Sequence, residues 1–420
     1  MTTAVAGSAQ AEVARLRRVF IALTALRWLP TGFVVAFTVL LMRDRGLDLA
    51  TIGLVVAAYS AATLLLELPT GGLADSIGRR PVLIAAALLA GVSSLTLAFG
   101  RTALVLAVGY LLGGAARALD SGPLQAWFVD RTHAIDPDAS LRHGLSRAGA
   151  AESVALATGA LAGGALVAIS PLPHDGDGLI ALSTPFLVAA AVSCVHAAAV
   201  LAWVREPARH RDPSRGGTVR ALGATIAAGL RLAAVHPALR RILVLTAAVG
   251  TALSGIELLA PARFSELLGG EDDAAGVYAV LVTAGFLGSA AGSALAPAIA
   301  LLARRPSRAV LAVALAAAVA LAAISLPVAA TAAVAYVAFY LFLGASMPLV
   351  DEFTHAAASS EQRATVLSLT SMALQGAAIV TTAGLGALAG ATSISAALWA
   401  PACVLALGAL VLVRWPRAVS

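Results

Sequence analysis

Apolar residues run along this chain in long blocks, each closed by a short cluster of charged or turn-forming residues, rather than in the narrow stripes of a surface helix. A block of about 20 apolar residues is the length at which a helix crosses the hydrocarbon core of a bilayer. Twelve blocks are legible, at 19–41, 50–72, 81–100, 103–128, 146–169, 182–204, 240–262, 274–302, 308–325, 327–350, 363–388 and 393–413. The ninth and tenth are the hardest to divide, because the chain stays apolar from Ala309 to Val350 with Leu326-Pro327 as its only punctuation. That run is about twice one span, and proline both removes a donor and clashes with the preceding turn. Two helices are expected there.

Arginine provides an independent check, since basic residues gather in cytoplasmic loops. The chain contains no Lys, and when the blocks are laid alternately through a membrane 22 of its 28 Arg fall on one side. Four, Arg43, Arg45, Arg101 and Arg263, fall on the other, and Arg27 and Arg117 lie within spans. An even number of crossings with both termini cytoplasmic follows, in a multi-pass protein of the cell inner membrane. The longest polar segment divides the blocks six and six, giving an N-terminal bundle at 1–204, a cytoplasmic linker at 205–239 and a C-terminal bundle at 240–420. Within the linker, Val219 to Val235 alternates apolar and basic residues like a short amphipathic helix, lying either on the inner leaflet or against the bundle.

Composition agrees with a lipid environment. The chain is 60% hydrophobic and 12% charged, with mean hydropathy +0.91, too little polar surface for a water-soluble fold of this length. Its net charge of +6 does not indicate nucleic acid, because the charge is gathered on one membrane face. Cys194 and Cys403 both sit in apolar blocks, so neither a disulfide framework nor a thiolate metal site is expected. The basic start at Arg15, Arg17 and Arg18 looks like the head of a signal peptide, but the apolar run behind it is long and reads as the first span. No metal cluster, nucleotide-binding loop or nucleophile triad is present, and no enzymatic activity or cofactor is expected.

Charges inside a membrane are costly and mark functional positions. Arg27 and Glu67 sit ~10 Å deep in the first two blocks, Asp120 and Glu152 comparably deep in the fourth and fifth, and Arg117 nearer the midplane. Glu67 with Arg27, and Asp120 or Glu152 with Arg117, match in depth. A surplus acid there would be free to carry a proton; the alternative is a static network that fixes packing. Glu257 is the lone acid of the seventh block, with no basic residue at its depth in that half. It is expected to line a central cavity, holding a proton or a cationic ligand, unless it packs neutral against hydroxyls. Glu67, Asp120, Glu152 and Glu257 are thus the candidates for proton coupling. Phe33, Tyr59 and Tyr336 are candidate cavity walls, although aromatics at helical spacing more often pack.

Between the second and third blocks lies GGLADSIGRRPVL, at 71–83. Gly71 and Gly78 permit tight approach and unusual backbone angles, and Asp75 can cap a helix or pair with Arg79 or Arg80. This pattern, in the loop after the second of twelve spans, resembles the signature of the major facilitator superfamily, and the likeness covers essentially the whole chain. The equivalent loop of the second half, at 303–310, keeps basic residues without an Asp. The resemblance implies two pseudo-symmetric six-helix bundles, with Gly71, Asp75, Gly78, Arg79 and Arg80 as a conformational gate bridging to the start of the eleventh helix near Glu361 and Arg363. Two further stretches are similar to family motifs: Arg117-Ala-Leu-Asp120 in the fourth span, and Gly159-Ala160-Leu-Ala-Gly163-Gly164 in the fifth, where Ala160 replaces a Pro. The second resembles the motif of antiporters, so the branch implied is the drug and metabolite exporters. The expected function is proton-coupled efflux of small amphipathic or cationic compounds, with antiport and multidrug resistance as corollaries. The alternatives are a solute importer or facilitator, and a membrane receptor or scaffold without transport. The expected partners are a small-molecule substrate, protons and membrane lipid, with the chain acting as a monomer.

Overall fold

The computed structural model describes residues 2–174, 176, 178–206, 231, 236–303, 305–356 and 363–413, without the side chains of 2–9, 68–69, 71–72, 75, 272, 355–356, 363–365 and 367. Most of the linker, including the amphipathic helix expected at 219–235, lies outside the described residues.

Among the described residues, twelve helices are long and apolar enough to cross a membrane. They are helix 1 (Gln10–Asp44), helix 2 (Leu49–Ile77), helix 3 (Arg79–Phe99), helix 4 (Ala103–Ile135), helix 5 (Arg142–Ala168), helix 6 (Ala181–Trp203), helix 7 (Pro237–Leu268), helix 8 (Glu271–Ala303), helix 9 (Pro306–Ala323), helix 10 (Ala329–Ala356), helix 11 (Arg363–Ala391) and helix 12 (Ile394–Leu412). In hydrocarbon, backbone groups have no water to bond, so the apolar blocks fold as helices that satisfy themselves. The chain breaks at 324–328, beside Pro327, as the proline required. Helix 4 departs from the single span expected. It is interrupted at Asp120–Gly122, where Pro123 opens a second segment, because a residue before proline is driven out of the helical region.

Helices 1–6 and 7–12 form two bundles that repeat one another's pairings. Helix 1 packs on 5, 2 on 4 and 3 on 6; in the second bundle 7 packs on 11, 8 on 10 and 9 on 12. The bundles also share a device. Arg45, just past helix 1, donates to the carbonyls of Leu97, Ala98 and Gly100 at the end of helix 3. Arg263, in helix 7, donates to the carbonyls of Ser325 and Leu326 at the end of helix 9, at 3.1 and 3.0 Å. Each guanidinium thus satisfies carbonyls that a helix C-terminus leaves open. It also explains two of the four Arg on the sparsely basic side.

An even number of crossings puts both ends of the described chain on one face, the terminal face. The bundles touch through helices 2 and 11 and through helices 5 and 8, and these contacts crowd toward the opposite face. A Cβ on Gly53 would collide with the carbonyl of Thr382, and one on Gly386 with that of Leu49. A Cβ on Gly164 would come within 2.7 Å of the Ala279 methyl. Thr283 donates to the Ala157 carbonyl at 3.1 Å. Above them, Arg43 of helix 1 donates to Glu271 of helix 8 at 2.9 Å, each about a quarter exposed. The opposite face is therefore sealed by backbones in near contact, with an ion pair on its rim.

Two expectations follow. Gly53→Leu forces apart helices 2 and 11, and overpacking of this kind costs about 1–3 kcal/mol in the sealed arrangement alone. Spin labels on Leu104→Cys and Leu326→Cys, with Cys194 and Cys403 replaced by Ser, should report longer distances across the opposite face; an unchanged distribution would show that the crossing does not hold it shut. The rim pair should respond to acid. Burial pushes the Glu271 carboxyl up, but its hydrogen bond to Arg43 and the charge of Arg43 outweigh burial and hold it below the ordinary carboxylate range. The pair's contribution is therefore complete above the ordinary value and lost as pH falls through the depressed one. It is worth about 0.2–1 kcal/mol at this exposure. Glu271→Gln should abolish the acid dependence of the same distances, which would persist if other groups govern it.

Candidate functional site

Helices 1 and 4 carry the charged centre of the first bundle. The Nε of Arg27 donates to Oδ2 of Asp120, the residue at which helix 4 breaks. The next residue, Trp28, presents its indole to two guanidiniums: the Cζ atoms of Arg27 and Arg117 lie 4.9 and 5.5 Å from the ring centroid. Such contacts hold a cation while leaving its hydrogen-bonding edge free. Among the described residues Arg117 makes no ion pair, and its nitrogens stay accessible. Glu152, half-buried on helix 5, lies within electrostatic reach of both Arg27 and Arg117 without touching either.

The pairing expected from depth is thus rearranged. Asp120 rather than Glu67 takes Arg27, because the helix break turns Asp120 toward helix 1. Glu67 lies at the crossing of helix 2 with helix 11, where the Ser371 hydroxyl donates to its Oε2 at 2.6 Å. That bond joins the two halves on the terminal side of the centre.

Glu257 lies deep in helix 7, where its neighbours Ile256, Leu258 and Leu259 are at most 1% exposed, yet its own side chain is exposed. It stands within electrostatic reach of Tyr59 and Tyr110 from the first bundle and of Tyr278, Tyr336 and Tyr340 from the second. A carboxylate surrounded by both halves and still accessible opens into the space between them, not onto lipid. Among the described residues it has no hydrogen-bond or ionic partner; Arg263, six residues on, is committed to Glu266 and to the end of helix 9. Tyr59, half-buried, is within reach of Arg27 and Arg117 as well as of Glu257.

The other candidate walls are placed differently. Phe33 is 8% exposed in the crossing of helices 1 and 5, and Tyr336 is 2% exposed in an aromatic cluster with Phe264, Tyr278 and Tyr340, at centroid distances of 5.1 to 6.2 Å. The glycines of helix 5 serve close approach. A Cβ on Gly159 would lie 2.8 Å from the Cα of Gly32, and one on Gly163 would lie 2.7 Å from the Phe33 carbonyl and the Phe37 ring. Gly164 meets the second half at Ala279.

At the terminal face the 71–80 loop is anchored within its own bundle. Gly78 turns the chain at φ +99, in the left-handed region. The carboxylate of Glu206 then accepts from the backbone N–H of Arg79 and Arg80, at 3.0 and 3.1 Å, capping helix 3. Arg79 pairs with Asp130 at 2.7 Å, and Arg80 donates to the Leu201 carbonyl. Gly71 lies in the last turns of helix 2; the Asp75 side chain, Glu361 and the Arg363 side chain lie outside the described residues.

Sequence reasoning missed three participants. Trp28 and Ser371 carried no signal, since an aromatic and a hydroxyl inside a span usually pack. His196 did carry one, being the only His within the twelve blocks. It is 4% exposed, within reach of Asp120 and Arg27. Its Nε2, with Asp120 Oδ1 and Trp28 Nε1, is buried without a protein partner.

No curated protein matches the chain by sequence. Solved structures match by fold. The crystal structure of the nucleoside transporter NupG superposes with a TM-score of 0.74 at 11% identity, covering 96% of this chain and all of that one. A POT family transporter in complex with 5-aminolevulinic acid gives 0.72 at 12%, covering 97% of both chains. A bacterial homologue of the human lysosomal transporter Spinster, inward-facing and unoccupied, gives 0.68 at 16%, covering 96% of this chain and 95% of that one. The expectation of an exporter is corrected by this company. NupG and the POT proteins are nucleoside and peptide transporters, and nothing places the chain in a drug-exporting branch, so efflux, antiport and multidrug resistance are set aside. The helix 5 glycines that carried that expectation are accounted for by packing against helices 1 and 8. The family model described as Major Facilitator Superfamily matches residues 19–382, and with twelve helices in two matching bundles around an accessible charged centre, the chain belongs to that superfamily of membrane transporters.

Proposed function

We propose that this chain takes up small polar solutes across the cell membrane by alternating access, driven by protons. The observation that carries the reading is the contrast between a sealed opposite face and a centre where Glu257 and Arg117 remain accessible and unpaired. The termini are cytoplasmic, a placement supported by the 22 Arg on the terminal face. The sealed face is then the outer one, which supports reading this conformation as closed to the outside. Nucleosides, peptides and 5-aminolevulinic acid, named for the similar structures, are solutes of the size and polarity this centre would accept.

The two bundles, 1–204 and 240–420, rock as units, and one chain suffices as a monomer because it contains both halves of the path. Gly71, Asp75, Gly78, Arg79 and Arg80 form the gate on the cytoplasmic side. In this conformation Arg79 and Arg80 are held within the first bundle, and the gating step transfers their contacts to helix 11. Of the proton-coupling candidates, Glu152 fits best. As a carboxylate it compensates the charge of Arg27 and Arg117 from a distance; once protonated it leaves Arg117 uncompensated and ready for the solute. Proton and solute therefore load together, which is the linkage that symport requires.

Uptake in liposomes tests this, with a panel of nucleosides, dipeptides and amino acids. Glu152→Gln should keep solute counterflow but lose accumulation driven by an inward proton gradient, at least tenfold. Glu257→Gln should lower both. Gradient-driven accumulation at wild-type level in Glu152→Gln would move the coupling to Glu67 or Asp120, and saturable uptake indifferent to the gradient in the wild-type protein would make the chain a facilitator.

A further inference from the structure

Inside the proposed path, opposite charges are divided between the two halves. On the first bundle Arg27 is neutralised by Asp120, whereas Arg117 is held by the Trp28 ring with its donors unused. On the second bundle Glu257 is exposed and has no basic partner among the described residues. Tyr59 lies within electrostatic reach of both. An unpaired guanidinium and an unpaired carboxylate facing one water-accessible space are each expensive to leave without a counter-ion. Neither approaches the other, since no ion pair joins them across the halves. Glu152 compensates Arg117 only from a distance, so a counter-ion in contact with either charge would have to come from outside.

We propose that the substrate is amphoteric, a small solute with an anionic carboxylate at one end, bound by Arg117, and a cationic amine at the other, bound by Glu257. This deepens the uptake reading and rests on it only for the direction of transport. Each end is assigned to one half, so the solute completes a charge pair that neither bundle completes alone, and its binding draws the halves together around it. Arg27 and Asp120 position the site through Trp28, whose ring orients Arg117 without consuming its charge. The carboxylate that shares this field, Glu152, is on helix 5 and touches neither Arg117 nor Arg27, so it does not occupy the anion position. His196 on helix 6 faces Asp120 and Arg27 and stands behind the pair, buried at 4% exposure. A lone amine or lone acid would satisfy only one of the two ends and leave the other charge without a partner.

Equilibrium binding to purified protein in nanodiscs, with no proton gradient, tests the assignment separately from transport. The probes are ω-amino acids of increasing length and dipeptides, each beside the amine-only and acid-only compound of equal length. One length of amphoteric probe should bind at least tenfold more tightly than both of its one-ended analogues. Glu257→Gln should weaken that probe and the amine-only compound by about tenfold to a hundredfold, the range of a charged hydrogen bond, and leave the acid-only compound unchanged. Arg117→Gln should do the converse, and Arg117→Lys should recover part of the anion affinity. If at every length the one-ended compounds bind as well as the amphoteric one, or if both substitutions weaken all three classes alike, the amphoteric clamp is wrong. If the clamp holds here while uptake assays fail, the direction of transport alone is at fault.

Discussion

Helices inside lipid gain nothing from hiding apolar side chains, because the lipid is as apolar as they are. What remains to hold them is close contact, and close contact between helices needs small residues at the crossing. The rest of this molecule depends on that constraint. Gly53 and Gly386 bring helix 2 against helix 11, Gly32 and Gly159 bring helix 1 against helix 5, and in the second bundle a Cβ on Gly292 or Gly344 would collide with the backbone of helix 10 or helix 8. Only with backbones this near can one face be shut against water. Only with it shut does the charged centre lie behind a closed face.

Within that centre, the arrangement of charge separates structural work from work on a ligand. Arg27 and Asp120 pair with each other, and Arg45 and Arg263 are engaged by helix ends. The Arg79 guanidinium is taken up by Asp130 and that of Arg80 by the Leu201 carbonyl. Arg117, Glu152 and Glu257 make no ion pair among the described residues, and Glu257 stands alone in its half. All three were visible as intramembrane charges, but their being the unmatched ones depends on which way each helix is turned.

The fold was legible in the sequence because its cause is local. A span is a run of apolar residues, and Arg counts along the loops fix how the runs alternate, so the ambiguous stretch around Leu326-Pro327 resolved as two helices. The break of helix 4 was also encoded, in Gly122-Pro123, but was absorbed into a continuous apolar run. Charge pairing was not legible. Depth along a helix ranks Glu67 with Arg27, yet rotation about the helix axis decides the partner, and it turns Glu67 to Ser371 across the interface. The exporter expectation failed for a related reason. A glycine motif reports how near two backbones come, and nearness serves transport in either direction.

The repeated arginine clasp has a mechanical consequence. Arg45 fastens the end of helix 1 at the sealed face to helix 3, and Arg263 does the same for helices 7 and 9. Two helices in each half are thereby stapled at the end farthest from the termini. A lever transmits displacement only if its arm does not bend. With both arms stiffened at the sealed end, any rotation about the glycine crossings would appear in full at the other end, in proportion to the length of the helices.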